Sequence, residues 1–301
     1  MIDEPTLAQL LEQARSFVDE RKFLHATQVY RRIINEVPTL DIAWIELSHV
    51  YYEMKQYDAA ERLLLQVVER GDNKDEILFL IGNLFLKLAQ YDRALGYYKR
   101  LLPKEIGLPK DFRAHLHFNT GLAYFYQENA RQSEQHFRVT YTIDPKFPKI
   151  NESLGELLLR RGAVAEAAQH LKAAIKIDRY SWIAHYLLGM AYSKSYEWQK
   201  AYDEFVAAVE IDPNEPNAWQ MCGEVSIMLH QLDEAEQYLR KALELNPHFT
   251  DAVVNFGYLF LQRGDPQRAL EFFDKALSLE PHHHKALQGK RQLKVSERPQ
   301  S

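Results

Sequence analysis

Cysteine is almost absent from this 301-residue chain, Cys222 being the single example. That excludes an intrachain disulfide framework and fits a reducing compartment. Long apolar runs are missing as well: although 46% of the residues are hydrophobic, none of the runs approaches the roughly 18 residues that a membrane-spanning helix needs. The opening residues, Met1-Ile2-Asp3-Glu4-Pro5, are acidic and lack the basic-then-apolar layout of a signal peptide. Positive charge is not in excess. A net charge of −5 and a pI of about 6.2 leave no electrostatic footprint for nucleic acid. G-x-S-x-G, H-E-x-x-H and Walker sequences are all lacking. These absences predict a cytoplasmic, non-catalytic chain without a cofactor, a metal or a membrane span.

What the chain does contain is a period. Leu188-Gly189, Cys222-Gly223 and Phe256-Gly257 sit in the middle of three amphipathic runs spaced 34 apart. Each run is answered by a second one, Ala201-x-x-x-Phe205, Ala235-x-x-x-Leu239 and Ala269-x-x-x-Phe273, and each unit closes on Pro213, Pro247 or Pro281. A fixed period of this length means stacked supersecondary units, because one unit alone cannot bury its apolar face. Extended along the chain, the alanine position falls at Ala26, Ala60, Ala94, Ser133, Ala167, Ala201, Ala235 and Ala269, and only the step from 94 to 133 is 39 rather than 34. The glycines agree independently, with Gly82 to Gly121 again 39 apart.

Eight repeats account for both series: 7–40, 41–74, 75–108, 114–147, 148–181, 182–215, 216–249 and 250–283, with an insertion at about 109–113. Pro103 and Pro109 flank Gly107 there, so neither adjoining helix is expected to continue, and the stretch reads as a longer loop. Asp58, Asp92 and Asp233 are placed as helix N-caps, and Asp265-Pro266 puts a cap before a proline at the first helical position. After Pro281, residues 284–295 form one more helix. Its in-register glycine position is Arg291 and its leucine position Lys290, so it reads as a polar cap. Residues 296–301 are expected to be a disordered tail.

These residues resemble the tetratricopeptide repeat family, whose unit reads W-x2-L-G-x2-Y, then A-x3-F, then P. The pattern appears as Leu78-x2-Ile81-Gly82-x2-Phe85 with Ala94-x3-Tyr98, and as His185-x2-Leu188-Gly189-x2-Tyr192 with Ala201-x3-Phe205 and Pro213. Ala14 and Ser48 replace the glycine, Ser226 the aromatic, and Asp72 and Arg179 the closing proline, without disturbing the register. The resemblance implies an all-α fold, a right-handed superhelical solenoid forming a single array over 7–283. It also implies that the first helix of each repeat faces a concave groove through positions 2, 5, 9 and 12.

Those positions supply Ile45 and Tyr52 in the second repeat, Phe79, Asn83 and Leu86 in the third, and Phe118 and Phe125 in the fourth, with Asn119 beside them. Tyr186, Met190 and Tyr258 extend the set, whereas Glu152, Glu156, Gln220 and Glu224 interrupt it. A solvent-facing helical surface should be mostly polar. An apolar track there predicts a groove for a protein or peptide segment of apolar to mixed character, with the asparagine amides able to pair with its backbone. Position 5 carries no basic residue, so the dicarboxylate clamp of the chaperone-binding members is disfavoured. Asn119 and Asn255 stand isolated, so the asparagine ladder of the sugar-transferase members is disfavoured too.

The function expected is therefore a protein–protein interaction scaffold or adaptor, the alternative being the substrate-recruiting subunit of a multi-chain enzyme or of a secretion or assembly machinery. Self-association through the ends of the array is also compatible with this architecture. His282, His283 and His284 form the most metal-like run, but no other ligand type lies close in sequence, and they read as a solvated turn. Cys222, at a leucine position, reads as a small buried hydrophobe, and His117, at the tryptophan position, as a packing residue.

Overall fold

A computed structural model of the chain describes residues 3–70 and 74–296. Every described element is helical. The chain divides into two compact units, 1–143 and 144–301. The first contains α1 (Glu4–Asp19), α2 (Phe23–Glu36), α3 (Asp41–Glu53), α4 (Tyr57–Arg70), α5 (Lys74–Lys87), α6 (Tyr91–Leu101), α7 (Lys110–Tyr126) and α8 (Ala130–Ile143). The second contains α9 (Ile150–Arg160), α10 (Val164–Ile177), α11 (Trp182–Lys194), α12 (Trp198–Ile211), α13 (Pro216–Met228), α14 (Leu232–Leu245), α15 (Thr250–Gln262), α16 (Pro266–Leu279) and α17 (His284–Ser296). Successive helices pair as hairpins, and within each unit every hairpin packs on the next. Asp72 and residues 297–301, most of the tail expected to be disordered, lie outside the described residues.

The repeated glycine and alanine explain why the hairpins close so tightly. All eight residues of the alanine series, Ser133 included, are fully buried. At Gly82, Gly121, Gly155, Gly189, Gly223 and Gly257 an added Cβ would come within 2.4–2.7 Å of the Tyr98, Phe137, Leu171, Phe205, Leu239 or Phe273 side chain of the partner helix. Glycine costs about 1 kcal/mol relative to alanine inside a helix. Close packing against a large side chain offsets that cost, because that side chain occupies the volume a methyl group would need. The interior is accordingly a row of local apolar clusters along the chain.

Each hairpin turns through a left-handed residue, a feature with no consistent sequence signal. Arg21, Lys55, Ala89, Glu128, Tyr196 and His230 have φ of 56–60°, and Gly162 and Gly264 have 78° and 74°. The geometry is the αL helix ending in which a 6→1 hydrogen bond satisfies a terminal carbonyl. At Ala89 these bonds are Gln90 N–H to the Phe85 carbonyl (2.9 Å) and Ala89 N–H to the Leu86 carbonyl (3.1 Å). An L-residue with a Cβ is strained there. Ala89→Gly is therefore expected to raise stability by about 1 kcal/mol, read as a higher urea midpoint; an unchanged or lower midpoint would show that the turn is not strained.

One expectation about the helix ends is corrected. Asp58, Asp92 and Asp233 lie within the first turns of α4, α6 and α14 rather than at their N-caps; Gln90 and Gln231 precede α6 and α14. The carboxylates still favour the positive helix end, and they also join neighbouring hairpins: Asp58 pairs with Arg93 (3.3 Å), Asp92 accepts from Gln127 (2.7 Å) and Asp233 pairs with Arg263 (2.7 Å). Asp265 does cap α16, accepting from Arg268 N–H at 3.0 Å.

The stretch read as a longer loop is instead a 3-10 helix, Leu102–Gly107, followed by residues 110–113 as an extra first turn of α7. Proline is tolerated in the first turn of a helix, where its missing N–H has no partner to lose, and Pro103 is the second residue of this one. The insertion is packed down by Leu102, Leu108 and Phe112, and Lys104 reaches Asp75 at 2.8 Å.

Candidate partner-binding surface

In the first unit, α3, α5 and α7 carry the residues that the period assigns to the inward face. Ile45, Tyr52, Phe79, Asn83, Leu86, Phe118 and Asn119 are each partly exposed. A cavity of about 230 Å³ opens between α3 and α5, with Ile45, His49, Tyr52, Glu53, Leu80, Asn83 and Lys87 among its lining residues. Its walls are aliphatic and aromatic, and Glu53, Lys87 and His49 supply polar groups. Leu80 is one of the large apolar side chains that remain exposed; it lies one residue after an inward position, so the period did not mark it.

Phe79 is held from two sides, its ring centroid 5.0 Å from that of Phe112 and 5.9 Å from that of Tyr98. Phe112 belongs to the extra turn of α7, so the insertion itself contributes to this surface. Register reasoning could not have found it, because an inserted residue has no counterpart in the other repeats.

Phe125 departs from the expectation. It is buried, packed near Phe137 (6.5 Å between centroids) and edge-on to Tyr126 (5.6 Å), and so belongs to the interior of the α7–α8 hairpin.

The asparagines depart from it in another way. The Asn119 amide nitrogen donates to the Asn83 amide oxygen at 2.7 Å, and the Tyr98 hydroxyl donates to the same oxygen at 2.8 Å. Asn119 therefore pairs with the neighbouring hairpin. The Asn83 oxygen is engaged within the unit, which leaves its amino group as the donor for a partner's carbonyl rather than both ends of the amide.

The second unit presents different chemistry. Tyr186 and Met190 are half-buried against the cluster around Phe205, with the Tyr186 ring 5.8 Å from Phe205. Burial raises the Tyr186 pKa, and the carboxylates of Asp251, Glu224 and Glu215 add to the effect. Tyr258 is tied to α17, since its hydroxyl donates to the Lys285 carbonyl (2.9 Å) and its ring stands edge-on to Phe273 (5.2 Å). Glu224 accepts from Lys285 (2.9 Å), Gln220 (2.9 Å) and Asn255 (3.3 Å). Burial opposes the charge on Lys285, but Glu224, Asp251 and Tyr258 outweigh it and the pKa is raised. Asn255 is thus engaged as well.

Elsewhere, a recess of about 380 Å³ between α14, α15 and α16 is lined by Phe256, Phe260 and Phe272, none of them an inward position. His283 is not solvated with its neighbours. It faces Asp251 at 3.1 Å, and its Nδ1 accepts from Ala286 N–H (3.4 Å) at the start of α17. Among the described residues no group of three His, Cys, Asp or Glu is placed to hold a metal. Burial pushes the Cys222 thiol up to about 12, which suppresses the thiolate that nucleophilic chemistry would need.

Two sequence models of the tetratricopeptide repeat family match most of the chain, one at residues 45–111 and 118–181 and the other at 158–225 and 226–293. This chain belongs to the tetratricopeptide repeat family. Among curated proteins, this tetratricopeptide repeat protein is similar to the DnaJ homolog subfamily C member 7 homolog of Dictyostelium discoideum, 22% identical over 177 residues. The match takes in 55% of this chain and 33% of that relative, so the chain spans about a third of its length. Among solved structures, YrrB, described as a TPR protein with an unusual peptide-binding site, superposes with a TM-score of 0.51 at 22% identity, covering 59% of this chain and 92% of that one. The APC/C hetero-tetramer Cut9-Hcn1 gives a TM-score of 0.63 at 15% identity, covering 94% of this chain and 55% of that one. At these identities the likeness establishes the tandem helix-turn-helix solenoid fold. No described helix is long and apolar enough to cross a membrane.

Proposed function

We propose that this protein is a non-catalytic interaction scaffold that holds an apolar peptide or helical segment on the inward faces of α3, α5 and α7. The observation that carries this reading is the partly exposed track of Ile45, Tyr52, Phe79, Leu86 and Phe118, of which Ile45 and Tyr52 line a cavity of about 230 Å³. A helix face that met only water would be polar there, and contiguous exposed apolar surface marks interaction sites. The cavity takes one large side chain of the partner, and the Asn83 amino group binds a backbone carbonyl next to it. Burying each large apolar side chain is worth about 1.5–3 kcal/mol. Set against an association cost of roughly 4–15 kcal/mol, several such contacts imply affinities on the order of micromolar.

A peptide library selected against the full chain should return sequences in which large apolar residues recur. Ile45→Ser together with Tyr52→Ser should weaken their binding roughly a hundredfold. Arg62→Ser, at an exposed position on α4, should leave it unchanged. Wild-type affinity in the double variant, with its helical signal intact, would place the binding surface elsewhere.

A further inference from the structure

The insertion and the fourth hairpin share a buried polar cluster that peptide binding does not use. His117 on α7 and His136 on α8 are 6% and 8% exposed, and their Nδ1 atoms face each other at 2.9 Å. The other nitrogen of His117, Nε2, pairs with the Glu105 carboxylate of the 3-10 helix. A hydrogen bond between two Nδ1 atoms needs one of them bare. With Nε2–H of His117 directed at Glu105, the two rings hold a single proton between their facing Nδ1 atoms. A second proton there would set two N–H groups head to head in a buried site.

We propose that the His117–His136 pair is an acid-operated switch in the fourth repeat, in which a second proton breaks the contact between α7 and α8 and loosens the hairpin that carries Phe118 and Asn119. Released from each other, both imidazoles can be protonated in water, so the open hairpin binds one more proton than the closed one. Among the described residues, the charged groups around His136 already have partners or add positive charge. Glu105 is engaged by His117, and Lys104 beside it is paired with Asp75 on α5 (2.8 Å). The Tyr124 ring stacks on His136 (5.7 Å between centroids), and Lys99 of α6 lies over that ring at 5.8 Å. Arg113 stands one turn before His117 on α7 and adds positive charge, and Arg138 on α8 is paired with Glu134 (2.8 Å).

The sign follows from His136. Burial first, and then the neighbouring His117, lower its pKa to about 4, with Glu105 acting weakly in the other direction. A base depressed on folding stabilises the folded form fully above its unfolded value of about 6.5, and that stabilisation is lost as the pH falls toward the folded value. The opening equilibrium of the α7–α8 hairpin should therefore rise about tenfold per pH unit below ~6.5.

Amide hydrogen exchange on the full chain between pH 7 and 4.5, corrected for intrinsic exchange, reads this directly. The slope is expected in α7 and α8 and not in α13 and α14. His136→Gln, whose amide can accept from or donate to His117 but takes no proton, should abolish it, and Glu105→Gln should keep it, which separates the pair from titration of the carboxylate. In the wild type, NMR of the His136 ring should show no protonation near pH 6.5, whatever the stability of the variants. Ordinary titration of His136, an equal slope in α13 and α14, or a slope that survives in His136→Gln would each overturn the switch. Opening is independent of any ligand. Acid release of the selected peptides rests in addition on the binding reading above, and its failure with the exchange slope intact would count against that reading alone.

Discussion

Phe273→Ala is expected to destabilise the 144–301 unit by about 3–5 kcal/mol, the upper range for a buried aromatic. Phe273 on α16 is fully buried between two glycines on different helices. A Cβ on Gly257 of α15 would come within 2.4 Å of its ring, and one on Gly289 of α17 within 2.3 Å. Tyr258 stands edge-on to the same ring. Both glycine helices approach as closely as they do because the ring fills the space between them. Removing it leaves a void walled by hydrogen-bonded backbone, which cannot collapse as flexible side chains would. Urea unfolding with tryptophan fluorescence measures the loss, since all the tryptophans but Trp44 lie in this unit. A loss below about 1 kcal/mol would mean that the three helices repack without the ring.

Deleting residues 284–301 should convert the protein to a self-associating form while leaving the 1–143 unit folded. Ala286 and Leu293 of α17 are buried, and Gly289 covers one side of Phe273. Polar ties hold the helix in place: Lys285 to Glu224 (2.9 Å), the Tyr258 hydroxyl to the Lys285 carbonyl (2.9 Å), and Lys290 to Asp274. Truncation uncovers the apolar face of α15 and α16 and leaves Glu224 without its cation. In repeat arrays stability is roughly a sum of local and nearest-neighbour terms, so loss at one end is not transmitted along the chain. An uncovered apolar end is instead satisfied by another copy. Sedimentation velocity across a concentration series should show dimers or larger species in the truncated chain. A monomer at high concentration would show that α17 is not what keeps this end from associating.

The same helix marks how far the repeat period reaches. Its register pointed to Arg291 as the glycine position and found a polar helix there, yet the close approach to Phe273 is made by Gly289, two residues earlier. The polar surface was legible because it is composition. The contact was not, because among the described residues no second helix follows α17 to fix its rotation. The insertion behaves similarly. Its length was legible to the residue from two independent series, whereas its 3-10 form and the extra turn of α7 depend on Leu102, Leu108 and Phe112 packing onto neighbours far away in the chain.

Among the surface residues, the period found the track from Ile45 to Phe118 but not its cavity, and it included Phe125, Asn83, Asn119 and Tyr258 on equal terms with the rest. Position within a helix says which way a side chain leaves its own axis. It does not say what waits there. Phe125 meets Phe137, Asn83 meets Tyr98 and Asn119, and Tyr258 meets the backbone of Lys285.

By itself, then, the sequence determined the helical class, the tandem repeat and the close approach of the paired helices at most of the glycine positions. All of these follow from one local period repeated often enough to outweigh its exceptions. Only the tertiary structure decided which inward residues remain open, which asparagine atoms are taken, and that His117, His136 and Glu105 meet. Those outcomes depend on side chains from different helices reaching the same few ångströms of space, and a period along one chain carries no record of that encounter.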